Sequence, residues 1–571
     1  MMRFRKQAVL RFTIISLEVR LLNLSRFIVL AFLLAAASLL NAQQPASAAP
    51  PSQPAASASP AAVHGRLLLV LPFENHSGRA DLDWIGSAFP EIFNRRFASA
   101  GFLTISHADR LYALDRLGIP PKFQPSRASM IRLAQTLDAD YVIFGFFTTT
   151  GNTLNTTAQV LDMTGLQLGN PLTQQADLPH LLDVLNSLAW QTTKQLDPAY
   201  PVAQQTFLTA DSDLRLEAFE NYVRGLTEDS AAERIRHLRE AVRLSPHFSP
   251  AILALGKAYF SNQNFDLAAA TLGSLSKDDP NALEADFYRG LAFFYTGKYL
   301  EAEDAFAFDT TRLPLPEVVN NQGVAAARRG RDGTPLFQQA STADPKDADY
   351  HFNLAISLHR RGDIAGAINE IDQAVKLRPQ DTEAASLATT LHSGQPSPVQ
   401  TNASATTTQP AANSGPIERI KRTYNEAGFR QAAFEMEQMQ TMRLSVLPPA
   451  ERAAALTKEG EQFFNRGLIL EAEREFQAAL QADSSSAAAH AGLAQVRERS
   501  NDPEGARQEA LRSLQLQPSA AAHLILARID TQTNQLSAAA NEISQALKIE
   551  PNNATAHVMK MALEQKGQQV P

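Results

Sequence analysis

A ladder of prolines over the middle of the chain constrains the fold more than any other feature of the sequence. Pro246, Pro280, Pro314, Pro345 and Pro379 are separated by 34, 34, 31 and 34 residues. A proline has a fixed φ and no N–H, so it stops a helix cleanly. A period of this size is the signature of a solenoid, in which each repeat is one supersecondary unit. The spacing therefore predicts stacked helical units.

Each period carries the apolar pattern of two helices. In the unit before Pro280 the apolar and small positions, at i, i+3 and i+4 spacing, are Ile252, Leu255, Gly256, Tyr259, Ala268, Leu272 and Leu275. The same offsets return before Pro314 and Pro379, and again in three units after Pro449. These units resemble the tetratricopeptide repeat (TPR) family. The resemblance implies two all-α arrays whose stacked helices leave a concave, protein-binding surface.

The TPR resemblance also implies where a partner would bind. In the family, residues of the first helix of each pair face the concave side. Matching that register selects, in the first array, Lys257, Phe260, Phe287, Phe294, Tyr295, His359 and Arg360, and in the second array Glu461, Phe464, Asn465, Gln495 and Arg528. Packing between repeats is the alternative for the aromatic members. Between the arrays, Met436, Met439 and Met442 either form an adaptable binding stripe or, the favoured interpretation, pack on the next repeat.

Residues 63–200 have a different pattern. Short β-rich runs alternate with helical periodicity, as in RLLLVLPF (66–73) followed by an amphipathic stretch over 83–98. The order β-α-β-α-α-β-β, closed by a helix over about 178–196, predicts a mixed α/β sandwich. The phrases VLPFENHSG (70–78) and LDADYVIFGFF (137–147) resemble the TolB amino-terminal-like domain and, more distantly, the curli secretion-channel family. That resemblance covers 65–197 and implies a non-catalytic domain of the cell envelope.

The amino terminus predicts export. An apolar run from Phe27 to Leu40 follows Arg20 and Arg26 and precedes Ala42, the pattern of a secretory signal peptide cleaved after that alanine. The protein is then periplasmic; retention of the segment as an inner-membrane anchor is the alternative. The predicted organisation is a signal peptide (1–42), an Ala/Pro/Ser linker (43–62), an α/β envelope domain (63–200), a first TPR array (211–392), a disordered linker (393–415), an amphipathic helical segment (416–452) and a second TPR array (453–566).

Composition and motifs argue against several classes of function. The chain has no cysteine, so disulfides and thiolate metal sites are excluded, and its net charge of −7 does not favour nucleic acid. Phosphate-loop, nucleophile-elbow and zinc-helix motifs are absent from the sequence. His76 and Ser77 beside Glu74 have no identifiable third partner, and His351 with His359 has no carboxylate at ligand spacing. We therefore predict no enzyme, no cofactor and no metal.

These observations predict an exported, non-enzymatic scaffold. Its partners would be proteins or peptides held in the TPR grooves, and a peripheral association with the envelope is left open. The alternative function is a ligand sensor, in which the α/β domain binds a small molecule or glycan and the arrays relay that state. The sequence leaves the oligomeric state open.

Overall fold

The computed structural model describes residues 67–121, 126–210, 212–394 and 417–571. The predicted signal peptide and the Ala/Pro/Ser linker lie outside these residues, as does most of the linker predicted at 393–415. Within the described ranges, no helix is long and apolar enough to cross a membrane. The described chain consists of an amino-terminal α/β region followed by two helical arrays, which confirms the predicted fold class.

Seven strands among the described residues form one mixed sheet. The strands are β1 (Leu67–Val70), β2 (Glu74–Asn75), β3 (Leu103–Thr104), β4 (Tyr141–Thr150), β5 (Thr153–Asp162), β6 (Gln167–Leu168) and β7 (Leu172–Asp177). β1 pairs in parallel with β3 and β4, and β2 continues the parallel pairing along β4. β4 and β5 form a long antiparallel hairpin, beyond which β6 and β7 extend the sheet.

Helices cover both faces of this sheet. They are α1 (Asp83–Ser99), α2 (His107–Arg116), α3 (Arg127–Thr136) and α4 (Leu181–Leu196), followed by the short α5 (Gln204–Thr209). Successive side chains of a strand point to opposite faces. Along β1, Leu68 and Val70 join the core formed with α1 and α4, whereas Leu69 joins the core formed with α2 and α3. The alternation explains the predicted α/β sandwich.

Gly86 of α1 lies in close contact with the main chain after β1. The N–H of Phe73 donates to the Gly86 carbonyl at 2.9 Å. A Cβ added to Gly86 would lie 2.2 Å from the Phe73 carbonyl oxygen, and backbone cannot rotate away as a side chain can. We expect Gly86→Ala to lower the free energy of unfolding by about 2 kcal/mol, measured by urea denaturation. Ser87→Ala is the control, and equal stability of the two variants would contradict the prediction.

Packed helix pairs form the two arrays. The first array contains α6 (Leu216–Thr227), α7 (Ala231–Leu244), α8 (Ser249–Ser261), α9 (Phe265–Leu272), α10 (Ala282–Tyr295), α11 (Tyr299–Thr310), α12 (Pro316–Arg328), α13 (Thr334–Ala343), α14 (Ala348–Arg360), α15 (Ile364–Leu377) and α16 (Thr382–Ser393). After α17 (Glu426–Ser445), the second array contains α18 (Pro449–Asn465), α19 (Ile469–Ala482), α20 (Ala487–Arg499), α21 (Pro503–Leu516), α22 (Ala520–Gln532), α23 (Leu536–Ile549) and α24 (Ala554–Gln565).

Small residues let the two helices of a pair approach closely. A Cβ on Gly290 of α10 would lie 2.7 Å from the ring of Phe306 in α11, and a Cβ on Gly460 of α18 would lie 2.7 Å from the ring of Phe476 in α19. Both rings are fully buried. A glycine in the first helix thus lies against a large side chain of the second helix in both arrays.

The methionines of α17 lie on an exposed face of that helix. Met436, Met439 and Met442 are 49%, 59% and 63% exposed. The favoured interpretation, that they pack on the next repeat, is therefore wrong. The helix packs instead through its first turns, where Phe429 and Ala432 lie against the core of the first array.

The second array contacts α5 through a buried carboxylate. Glu473 of α19 accepts hydrogen bonds from the N–H of Ala203 at 3.0 Å and from Oγ1 of Thr206 at 2.5 Å. Arg497 lies 2.7 Å from the same carboxylate. Burial raises the pKa of Glu473 above its ordinary value, and these partners offset that effect only in part.

Candidate functional site

Residues 417–425 lie extended against the first helices of the later pairs in the first array. We call them the docked segment, and we call the surface formed by α10, α12, α14 and α16 the array 1 groove. The docked segment has neither helical nor strand structure. Within the predicted segment 416–452, helix α17 begins at Glu426, because the backbone groups of Arg419 and Lys421 bond to side chains of the groove instead of to one another.

Two asparagines one repeat apart bind the main chain of the docked segment. Asn353 of α14 accepts from the Arg419 N–H at 2.7 Å and donates to the Arg419 carbonyl at 2.8 Å. Asn321 of α12 makes the same pair of bonds with Lys421, at 2.7 Å and 2.8 Å. Asn320 also donates to the Arg419 carbonyl, at 3.0 Å. An amide has one acceptor and two donor positions, so it satisfies both groups of a residue in an extended chain.

Glu418 provides a buried anionic anchor. Its carboxylate is fully buried and pairs with Arg328 at 2.9 Å and with Arg360. A second guanidinium nitrogen of Arg328 donates to the Glu418 carbonyl at 3.3 Å. Two arginines from the last turns of successive first helices therefore enclose one carboxylate, and a buried charge of this kind requires such partners.

The basic residues of the docked segment meet acidic residues of the groove. Arg419 donates to Asp381 at 2.5 Å and 3.0 Å, and to Asp349 at 3.1 Å. Lys421 lies 2.7 Å from Asp349 and 2.6 Å from Asp347. These carboxylates lie at the first turns of α14 and α16, where the helix dipole does not favour cations, so the ion pairs themselves hold the side chains.

The docked segment changes the acidity of Asp349. Burial alone would raise the pKa of this carboxyl, but hydrogen bonds from Lys421, Arg378 and Arg419 outweigh burial and hold the pKa well below its ordinary value. A lowered pKa in the docked state means that docking is favoured above the ordinary pKa of an aspartate, about 4. The contribution is lost as the pH falls below that value.

Charges of opposite sign line the two edges of the groove. Arg328 and Arg360 end their helices on the edge that faces Glu418, and Asp349 begins α14 on the other edge. Neighbouring side chains of an extended chain point to opposite sides. Glu418 therefore reaches the basic edge, whereas Arg419 reaches the acidic edge.

Apolar contacts complete the docking. Ile420 is partly buried beside Val324 and Leu354 of the array core. Tyr424 is only 6% exposed, and its ring centroid lies 5.4 Å from that of Phe287. The docked segment is thus held by its backbone, its charges and two apolar side chains.

Three of the residues predicted for the first array lie beside the docked segment. Phe287 packs against Tyr424, Arg360 pairs with Glu418, and the ring of Tyr295 lies 5.6 Å from the guanidinium of Arg422. Whether the same residues contact a partner protein stays a prediction.

The other predicted residues of that array have local roles. Lys257 pairs with Glu284 at 2.5 Å. Phe260 and Phe294 pack against the rings of Phe265, Tyr295 and Tyr299, at centroid distances of 5.4 to 6.0 Å. His359 is half-buried near the end of α14, and burial lowers the pKa of its imidazole.

Part of the site predicted in the second array is brought together by the fold. Phe464, Gln495 and Arg528 line one hollow of about 340 Å³. Asn465 lies on the wall of a different and larger cleft, and Glu461 is exposed on α18. A ligand for this hollow stays a prediction.

Sequence reasoning missed the three asparagines that bind the docked segment. Asn320, Asn321 and Asn353 are fully buried, although they lie in helices whose other buried positions are mostly apolar. Buried amides need partners. The recurrence of asparagine at 321 and 353, one repeat apart, is the signal that would have found them.

A cleft of about 1310 Å³ is lined by the α/β region, both arrays and α17. Charged and titratable side chains line it, among them Glu91, His107 and Lys257. His107 lies 3.1 Å from the guanidinium of Arg110. Burial, followed by the charge of Arg110, lowers the pKa of His107 to about 4.

His107 is expected to lower the free energy of unfolding in mild acid. The unfolded chain takes up the histidine proton near pH 6.5, but the folded chain resists it until about pH 4, so stability falls between these values. Since the ring is about a quarter exposed, we expect the free energy of unfolding to fall by about 1–2 kcal/mol between pH 7 and pH 5. Urea denaturation of wild type and His107→Gln at both pH values measures this effect. Equal losses in the two proteins would contradict it.

The histidines weighed as ligands or bases have local partners. His351 hydrogen-bonds to Glu370 at 2.6 Å, and His76 to Glu74 at 2.8 Å. Ser77 donates to a neighbouring asparagine at 2.5 Å. Among the residues that the structure describes, no group of three or more histidine, cysteine, aspartate or glutamate side chains could hold a metal ion.

Two family models, both described as tetratricopeptide repeat, match the helical part of the chain. One matches residues 253–307 and 457–521, and the other matches residues 325–391. The two arrays are tetratricopeptide repeats. No curated protein matches the chain in sequence. The resemblance of residues 65–197 to the TolB amino-terminal-like domain stays a prediction.

Solved structures with partial similarity include TPR proteins. MamA (residues 41 to the end) from Desulfovibrio magneticus RS-1 is 21% identical, covers 30% of this chain and 99% of its own, and has a TM-score of 0.28. YrrB, described as a TPR protein with an unusual peptide-binding site, is 14% identical over 32% of this chain and 96% of its own, with a TM-score of 0.28. The LpoB carboxy-terminal domain from Escherichia coli is 18% identical over 20% of this chain and 84% of its own, with a TM-score of 0.18.

The two TPR arrays differ at the position that binds the docked backbone. In the first array, Asn321 and Asn353 stand two residues before the small residues Gly323 and Ala355 of their helices. The corresponding positions of the second array, two before Gly460, Ala494 and Ala527, are Lys458, Gly492 and Ile525. None of these three can make the paired amide bonds. The second array therefore lacks this means of holding an extended main chain.

Proposed function

We propose that the protein is an exported scaffold of the cell envelope that binds extended segments of partner proteins in the array 1 groove. TPR arrays are protein-interaction scaffolds, and their concave surfaces are the usual contact. The observation that carries the proposal is the bidentate binding of two backbone amides by Asn321 and Asn353. Such bonds are independent of the side chain that is bound, so they suit a peptide from another protein as well as the chain's own residues.

The buried amides of the groove favour an extended peptide ligand over a folded protein surface. Asn321 and Asn353 lie at the bottom of the groove and are fully buried. Their partners approach as a single extended chain, and a protein surface of regular helices or strands already has its backbone groups paired. An extended segment brings unpaired donors and acceptors, which the amides satisfy.

Groove binding is tested by a crosslinking pull-down from a cell-envelope extract. The bait is the full chain with Arg419→Ala and Lys421→Ala, which leaves every groove residue intact while it weakens the docked segment. The matched control adds Asn321→Leu and Asn353→Leu, which keep the branched shape of the side chain and remove the amides. Proteins captured by the first bait and lost from the second are expected. An identical set of proteins from both baits would contradict the proposal.

Export is tested separately, because it depends on residues outside the described part of the chain. The full chain and a variant that begins at Gln43 are compared by fractionation of periplasm, membrane and cytoplasm. We expect the full chain in the periplasm and the shortened chain in the cytoplasm. Recovery of the full chain with the inner membrane would favour the uncleaved anchor instead.

The cleft beside His107 supports a second candidate, the ligand sensor. Its volume of about 1310 Å³ and its mixed charges would accept a polar small molecule or glycan. Binding to the native state raises the melting temperature. A thermal-shift screen of the full chain against sugars and nucleotides, with Lys257→Ala as the control, tests this function. A shift that is the same in both proteins would place binding elsewhere.

A further inference from the structure

We propose that the array 1 groove selects extended segments with the order acidic, basic, apolar, basic, and that residues 417–424 are a built-in competitor for that ligand. The inference rests on the proposed function, because it names the ligand class of the same groove. The docked segment supplies the chemistry, with Glu418, Arg419, Ile420 and Lys421 at the four positions.

The order follows from the two edges of the groove. The first position must carry an anion, because Arg328 and Arg360 both pair with the Glu418 carboxylate, which is fully buried from solvent. The second position must carry a cation for the acidic edge, where Arg419 meets Asp349 and Asp381. A reversed order would place like charges together at both edges, which is costly in a partly buried setting.

The third and fourth positions extend the same alternation. Ile420 lies on the side of Glu418 and is partly buried against the array core. Lys421 lies on the side of Arg419, within 2.8 Å of both Asp347 and Asp349. The amides of Asn321 and Asn353 hold the main chain of Lys421 and Arg419, so each of the four side chains is fixed opposite its own part of the groove.

The docked segment is placed to be exchanged with a partner. Ile417 is 50% exposed, and Arg422 and Thr423 are exposed as well, so solvent reaches both sides of the stretch 418–421, although Tyr424 beyond it packs against Phe287. Residues 395–416 connect it to the array and keep its local concentration high, which weakens the apparent affinity of any partner. If the docked state holds 99% of the molecules, a partner binds about 100-fold more weakly than it would to the empty groove.

Fluorescence anisotropy with synthetic peptides tests both parts of the proposal. The probe is labelled PIERIKRTYNE, the sequence of residues 416–426. The control probe PIREIKRTYNE has the same composition, with the first acidic and basic residues exchanged. Each is titrated with the wild-type full chain, with the variant Arg419→Ala/Lys421→Ala, and with that variant carrying Asn321→Leu/Asn353→Leu.

We expect the double-alanine variant to bind the first probe at least tenfold more tightly than the wild type does. The same variant should bind the exchanged probe at least tenfold more weakly than it binds the first probe. The added asparagine substitutions should abolish binding of both probes. Equal binding of the two probes would overturn the charge order while the proposed peptide groove stands. Binding of neither probe to the double-alanine variant would overturn the groove itself. Equal binding by wild type and variant would overturn the competitor role.

Hydrogen exchange of the wild-type full chain provides a test that needs no variant. The amides of Arg419 and Lys421 are bonded to Asn353 and Asn321, so they exchange slowly while the segment is docked. Excess PIERIKRTYNE should raise their exchange rates, and PIREIKRTYNE should leave them unchanged. Protection that persists at saturating probe would show a permanent strap and overturn the proposal.

Discussion

Glu418→Ala is expected to release residues 417–425 from the array 1 groove. The substitution removes a fully buried carboxylate and leaves Arg328 and Arg360, which are only 20% and 23% exposed, without the charge they share. Removing one partner of a buried ion pair is strongly destabilising, by about 3–5 kcal/mol, because the remaining charge stays desolvated. Hydrogen exchange at Arg419 and Lys421 measures the loss of docking directly.

Glu383→Ala is the matched control for this prediction. Glu383 also pairs with the docked segment, through Arg419 at 2.7 Å, but its side chain is 49% exposed. An exposed pair contributes less than about 1 kcal/mol. Protection should therefore survive in Glu383→Ala and be lost in Glu418→Ala. Unchanged protection in both would mean that the asparagines alone hold the segment.

Asp309→Asn is expected to stabilise the first array at neutral pH. Asp309 of α11 is 1% exposed, and neither of its carboxylate oxygens has a hydrogen-bond partner. Burial, followed by the nearby charge of Asp286, raises the pKa of Asp309 to about 9. At pH 7 the folded chain must therefore bind a proton that the unfolded chain has released. With an ordinary pKa of about 4, this costs up to about 4 kcal/mol, and asparagine removes the cost.

The pH dependence distinguishes this cause from a general gain in packing. The unfolded carboxyl loses its proton near pH 4 and the folded one near pH 9, so the wild type loses stability as the pH rises between these values. The advantage of Asp309→Asn in urea denaturation should be small at pH 4.5 and grow to about 2–4 kcal/mol at pH 8. Asp304→Asn, an exposed change on the same helix, is the control. A variant less stable than the wild type at pH 8 would show that Asp309 is ionised and paired.

The proline ladder predicted the arrays because repeat packing is local. A small residue such as Gly290 and a large one such as Phe306 lie within one unit, so their contact follows from spacing along the chain. The α/β region was predictable for a related reason, since the alternation of Leu68, Leu69 and Val70 assigns each side chain to a face of the sheet. In both cases the period of the sequence is the period of the structure.

The candidate site was only partly predictable. Matching the TPR register selected Phe287 and Arg360, which lie beside the docked segment, because first-helix positions of any TPR unit face the groove. The same matching also selected Lys257, whose partner Glu284 comes from the next first helix. Register locates a surface, but it does not tell which of its side chains are already paired.

The sequence by itself determined the repeat, its two arrays and the α/β sandwich, since these depend on periodic apolar residues and on contacts within or between neighbouring units. Only the tertiary structure decided that Ile417–Asn425 occupies the groove, and that the methionines of α17 are exposed. Glu418 meets Arg328 across 90 residues of sequence and Asn321 meets Lys421 across 100. Pairings at such separations have no period, because they arise from where the folded arrays bring the chain back upon itself.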